Sequence, residues 1–373
     1  MKHAEAKLSD TRIAMPHAPQ LDGIRAIAVM LVFAAHAGYA HIVPGGFGVT
    51  IFFFLSGYLI TSLLRSEAGL TGDISFRNFY LRRTLRIIPP LIITYFVVML
   101  LCWSGLIIDP IHWSRVPSQF LFYANYLTDP QGLPHLAVWS LAVEEHFYLL
   151  FPLIFAMVLR KRTGREAALL CAVVCAAALF VRVYNVCTLA DFHMNYQYTH
   201  TRIDSILFGC CLAVWNNPIL DRGQAYKPKP SHVAVALAVI LFCLFYRNER
   251  FRESLRYTLQ GGALFVLFSF ALQGKGLVKK MLSSKPAQLL GLYSYSIYLI
   301  HPSAIKVFEY GFPAMPSLIR IALAFAATIL YAMAMYYCVE RPCANLRRAL
   351  QPKVQKKRRS DRSEAPVAAG VEL

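Results

Sequence analysis

Long apolar runs separated by short clusters of Lys and Arg dominate the chain. Ten stretches come near or above the roughly 20 residues that an α-helix needs to cross a bilayer: 22–41, 47–64, 88–108, 137–158, 167–183, 203–215, 232–246, 257–273, 288–307 and 318–338. The sixth is short and reads as a helix tilting in from a buried loop. The pattern predicts an all-α, polytopic integral membrane protein. Its membrane domain, 21–342, lies between an N-terminal segment, 1–20, and a basic C-terminal tail, 343–373. The first twenty residues lack a cationic stretch leading into a short core and a small-residue cleavage site, so the first span is expected to stay as an anchor. No internal repeat is visible.

Composition agrees: 57% of residues are hydrophobic and only 16% charged, too apolar for an ordinary soluble globule and incompatible with disorder, collagen or coiled coil. The net charge of +18 takes its meaning from position. With the N-terminus inside, the cytoplasmic segments hold 28 Lys and Arg and the outer ones seven, which sets both termini in the cytoplasm. Arg247, Arg250, Arg252 and Arg256 form one outer loop that runs against this distribution. The run Lys353 to Arg362 reads as a tail touching anionic lipid, and nucleic acid is not expected as a partner. Nine cysteines, odd in number and mostly within apolar runs, suggest neither a disulfide framework nor a metal site.

Charged groups inside a span cost several kcal/mol unless they face a cavity or a partner, so each is a candidate for function. Arg25 and His36 are eleven residues apart, about 20° from the same helical face and roughly 16 Å apart along the axis. Asp22 shares their helix. A snorkelling Arg and a His bonded to a neighbouring helix would also satisfy the pattern. The segment Gly45 to Leu59, with Gly48 and Ser56, suits either close helix packing or close approach of a ligand. Arg83 and Arg86, three apart, would share a face, and two guanidinium forks at a cytoplasmic mouth suit phosphate as well as they suit a positive anchor. Ser140, Glu144 and Tyr148 follow at i, i+4 spacing, with Glu145 and His146 beside them. Arg202 and Asp204 enter the sixth span and are compatible with a local salt bridge. His301 stands before Pro302 as a lid on a helix break, and Glu340 closes the tenth span. Together these groups imply helices enclosing a polar cavity.

The combination resembles membrane acyltransferase family 3, the bacterial multi-pass O-acyltransferases that decorate glycans, antibiotics and envelope polymers. The matching segments are Leu21 to His36, Gly46 to Tyr58, Phe79 to Pro90, Trp139 to Tyr148, Thr199 to Gly209 and Ser294 to His301, in family order. An Arg–ten residues–His pattern falls on Arg25 and His36, an Arg-x-x-Arg pattern on Arg83 and Arg86, and a Ser-x-x-x-Glu pattern on Ser140 and Glu144. The resemblance implies ten spans with both ends cytoplasmic, a bacterial inner-membrane location, a carbohydrate or glycan-like acceptor and an acyl-coenzyme A co-substrate, most simply acetyl-coenzyme A, with no tightly bound cofactor. Some members carry a fused periplasmic hydrolase-like domain. This chain resembles the stand-alone type, expected to acylate its acceptor directly.

With that donor, Arg83 and Arg86, with Arg82 as a third, would hold phosphates while the pantetheine arm follows the first helix to His36. His36 would take the acceptor proton as a general base, or carry the acyl group transiently. Glu144 would orient His36 or position the sugar, and Arg25 or an amide near Gly48 would stabilise charge. Ser140, Tyr148, Gly48, Ser56, Arg202 and Asp204 are expected to support the site. The opposing class is a transporter or flippase, for which inverted repeats and paired broken helices are missing. A third is a structural assembly partner indifferent to loss of His36 and Glu144.

Overall fold

The computed structural model describes residues 18–127 and 132–350. The basic run Lys353 to Arg362 and most of the N-terminal segment lie outside them. Among the described residues all regular structure is helical, in the order α1 Pro19–Ala34, α2 Gly45–Thr71, α3 Phe76–Trp103, α4 Val116–Phe120, α5 Trp139–Met157, α6 Gly164–Thr188, α7 Thr199–Val214, α8 Pro230–Phe245, α9 Glu249–Arg252, α10 Leu255–Gln273, α11 Leu277–Leu282, α12 Lys285–Gly311, α13 Ser317–Met335 and α14 Arg341–Leu350. Two π-helical turns extend helices, Ala35–Tyr39 after α1 and Tyr336–Glu340 between α13 and α14.

Local chemistry sets the helix limits. Proline opens α1, α8 and α12, where its missing N–H costs nothing. A capping box of Thr163 and Glu166 starts α6. Ser75 caps α3 through the Asn78 amide. Gly72, at φ 81°, ends α2.

Each of the ten apolar stretches overlaps a helix. Seven helices, counted among the described residues, are long and apolar enough to cross a membrane: α1 with its π turn, α2, α3, α5, α6, α10, and α13 with the turn and α14 that follow it. The helices α7 and α8 have 16 residues each. The 27 residues of α12 include Ser, Tyr, His and Lys side chains that dilute its apolarity. Apolar side chains such as Phe180 (71% exposed) on α6 and Phe96 (59%) on α3 face outward, as expected of a multi-pass membrane protein whose solvent is lipid.

At the centre α2 crosses α7, α1 packs against α2 and α12, and α7 packs against α6 and α10. The α2–α7 crossing is reciprocal: a Cβ at Gly57 would strike the Ile206 carbonyl, and one at Gly209 the Phe54 carbonyl. Small residues let the backbones meet where apolar attraction between helices cannot distinguish protein from lipid. Gly48 serves the α1–α2 contact in the same way, since its Cβ would meet the Ala28 carbonyl. The helix α14 packs beside α3, with Arg347 near Arg82 and Arg86.

Candidate functional site

Two cavities lie end to end along the bundle. The first, about 110 Å³, is lined by Arg25, Arg83, Arg86, Ser56, Glu144 and Tyr148, among others. The second, about 480 Å³, includes His36, Trp139, Tyr196, Arg247, Arg252 and Arg256 in its wall. Val49 and Tyr298 line both. Between them the Tyr298 hydroxyl meets Ser140 Oγ at 2.6 Å, so a single hydrogen-bonded pair of side chains contributes to the partition.

In the first cavity, hereafter proximal, the arginines differ in how they are held. Arg25 forms an ion pair with Asp22 at 2.7 Å. Arg82, one step further round α3 from Arg83, turns to the buried Glu67 at 2.9 Å and does not line the cavity. Arg83 lies over the Tyr148 ring at 4.9 Å. Neither Arg83 nor Arg86 makes a hydrogen bond or ion pair with the described residues, which leaves their guanidinium forks available to an anion. Glu144 Oε1 accepts from Ser56 at 2.7 Å, and the Tyr148 hydroxyl lies 3.3 Å from Oε2 and 3.0 Å from Ser56 Oγ. Ser56, Ser140, Glu144 and Tyr148 thus form one wall, as the i, i+4 spacing on α5 anticipates.

His36 falls in the π turn after α1 and is exposed toward the second, distal cavity. Glu144 does not orient it, because its carboxylate is engaged with Ser56 and Tyr148. The partner of His36 is His301, whose Nε2 is 3.3 Å from His36 Nδ1, with the rings edge to face at 4.9 Å.

The hydrogen bonds fix both tautomers. Pro302 has no N–H to give the Tyr298 carbonyl four residues earlier, and His301 Nδ1 donates to that oxygen at 2.8 Å. In the neutral ring, His301 Nε2 is therefore a lone-pair acceptor. His36 Nδ1 is 2.9 Å from the Val32 carbonyl, which only accepts, so it carries a proton shared between that oxygen and His301 Nε2. The lone pair of His36 then resides on Nε2, which has no hydrogen bond to the described residues. The sequence signal was the His-Pro pair: α12 runs on through Pro302 without the expected break, and the missing N–H leaves the Tyr298 carbonyl as an acceptor for His301.

Arg202 and Asp204 line neither cavity and do not pair with each other. Asp204 accepts from Arg182 at 2.7 Å and from Thr258 at 3.0 Å, both members of the ion pair being fully buried. Arg182 also donates to the Ser254 and Thr201 carbonyls. The sequence reading passed over this residue, although a charge within the 167–183 run was its signal. Arg202 sits 4.0 Å from the Tyr257 ring and 5.6 Å from that of Tyr196, and it donates to the Tyr196 carbonyl and Thr50. It holds the aromatic wall of the distal cavity from behind.

A family model described as an acyltransferase domain matches residues 19–337. The chain is 31% identical over 350 residues to an O-acetyltransferase of Staphylococcus aureus, covering 87% of this chain and 57% of that one. It is 30% identical over 361 residues to a peptidoglycan O-acetyltransferase of Listeria monocytogenes, covering 89% and 56%. It thus spans about half the length of these curated relatives. No solved structure matches it. A family model that matches residues 19–337, nearly all of the described helices, means that the chain belongs to acyltransferase family 3.

Proposed function

We propose that the protein is an O-acyltransferase of the bacterial inner membrane that moves an acyl group, acetyl in the simplest case, from cytoplasmic acyl-coenzyme A to a hydroxyl of a glycan. In this reading ten helices span the membrane, both termini are cytoplasmic, and the proximal cavity opens toward the cytoplasm. The excess of Lys and Arg in the alternating loops supports that orientation. The observation that carries the proposal is the sequence of two adjoining cavities, with uncommitted guanidinium groups in one and an uncommitted imidazole nitrogen in the other.

Arg83 and Arg86 bind phosphate groups of the donor, and the acyl-bearing arm extends past Ser140 and Tyr298. His36 Nε2 takes the proton of the acceptor hydroxyl as its oxygen attacks the thioester carbonyl. The C–O bond forms, the C–S bond breaks, and the imidazolium returns its proton to the departing coenzyme A sulfur. His301 accepts from His36 Nδ1–H throughout and keeps the basic nitrogen facing the distal cavity. Glu144, with Ser56 and Tyr148, shapes the donor passage.

The test is label transfer from radioactive acetyl-coenzyme A by purified protein supplied with envelope saccharides. Saccharide-dependent release of coenzyme A with label in the saccharide is expected. A protein that binds or moves saccharide without consuming the thioester would instead be a transporter.

A further inference from the structure

The four outer arginines that disobey the charge distribution are the starting point. Positive charge beyond the membrane is disfavoured, and the structure gathers three of the four, Arg247, Arg252 and Arg256, in the wall of the distal cavity that also holds His36. Among the described residues no Asp or Glu lines that cavity. Behind the wall, Glu253 is engaged by the Tyr257 hydroxyl at 2.9 Å and lies 3.7 Å from Arg256. The Arg256 Nε–H is buried with no partner among the described residues. The Arg252 side chain, half-buried, has neither a hydrogen bond nor an ion pair among them, while the Arg247 side chain is committed only to the His41 carbonyl, at 2.8 Å.

The surrounding charges do not cancel this excess. The buried pair Arg182–Asp204 is neutral as a unit, Arg202 adds a positive charge shielded by aromatic rings, and Glu253 offsets one arginine. Trp139 and Tyr196, whose rings pack at 4.8 Å, supply flat apolar surface on the same wall. Guanidinium forks suit a carboxylate or phosphate, and aromatic faces suit the apolar face of a sugar ring.

We infer that the distal cavity is an acceptor subsite for an anionic saccharide, whose carboxylate or phosphate is held by Arg252 and Arg256 beside His36. This rests on the acyl-transfer reading for its meaning, but binding can be measured without turnover. The experiment is calorimetric titration of the full-length protein in detergent micelles with trigalacturonate and, separately, with neutral maltotriose. Trigalacturonate is expected to bind at least ~10-fold more tightly, the advantage shrinking as salt rises. Arg252→Gln, at a half-buried and unpartnered position, should remove most of that preference, and Arg252→Lys should restore part of it. His36→Ala should bind normally while losing transfer; failed transfer by the unsubstituted protein, with its anion preference intact, would sink the acyl-transfer reading alone. Equal binding of the two saccharides, no binding of either, or a preference untouched by Arg252→Gln would overturn the inference. So would displacement of trigalacturonate by phosphatidylglycerol bicelles with retention of the Arg252 effect, which would assign the arginines to lipid headgroups.

Discussion

The proximal and distal cavities both contain arginine beside aromatic rings, yet they are built differently. In the proximal cavity an acid stands with the bases: Glu144 faces the same space as Arg25, Arg83 and Arg86. Among the described residues no carboxylate lines the distal wall, and the His36–His301 pair stands beside it. A site that only grips an anion needs fixed charge, whereas a site that moves a proton needs a lone pair aimed in one direction. In the proposed function the first cavity therefore contributes mainly to donor binding and the second mainly to turnover.

The largest effect is expected at the imidazole. His36→Ala should lower kcat by ~10²- to 10⁴-fold, the usual contribution of a positioned base, while membrane insertion and donor affinity stay unchanged. Label transfer and acetyl-coenzyme A binding on the same preparation check both halves. Retained turnover would remove the functional difference between the cavities.

A smaller loss, about 10- to 100-fold in kcat, is expected for His301→Phe, which keeps an aromatic ring but cannot accept from His36 Nδ1–H. His301→Gln restores an acceptor at comparable reach and should recover part of the rate. KM for the donor should remain within about twofold of its original value in both. A packing defect would harm both variants alike, so the order of their rates separates positioning from structure.

The reverse signature belongs to the other cavity. Arg83→Ala combined with Arg86→Ala should raise KM for acetyl-coenzyme A by roughly 10-fold or more, through two lost charge-assisted contacts, with a lesser change in kcat. Arg82→Ala should leave KM near its original value, because Arg82 is spent on Glu67. Steady-state kinetics over a range of donor concentrations distinguishes these outcomes.

How much of this was legible in the sequence depends on whether a feature is local. Apolar runs gave the helices, because burial in lipid acts on each segment separately. Arg83 and Arg86 were visible through their three-residue spacing, and so was Ser140 with Glu144. The spacing between Arg25 and His36 was visible too, but a straight helix hid the π turn in which His36 lies. Partnerships between distant segments were not legible. Asp204 stands two residues from Arg202 and pairs with Arg182 on α6. His301 reaches His36 across 265 positions of sequence, and only the folded contact of α1 with α12 brings them together.

The last and smallest effect asks what holds His301. Just beyond it, Ser303 donates to the His135 carbonyl at 3.1 Å. Asp109 receives His135 Nε2 at 2.7 Å and the Tyr310 hydroxyl at 2.5 Å, tying the 104–138 connection to the far part of α12. These two hydrogen bonds hold the Asp109 carboxyl below its ordinary pKa. A depressed carboxylate contributes stability that is present above the unfolded value, near 4, and lost as pH falls through the lowered one. The contribution of the Asp109 carboxylate should therefore be constant from about pH 5 to 8 and weaken only in stronger acid. Asp109→Asn should cost less than about 1 kcal/mol, because the side chain is 37% exposed and screened by solvent. Thermal unfolding in detergent at pH 7 and pH 4 measures that cost. If the variant keeps full kcat, the orientation of His301 is set within α12 by Pro302 and the freed Tyr298 carbonyl. A loss of kcat as deep as that of His301→Phe would make the loop, and not Pro302, the support of the distal site.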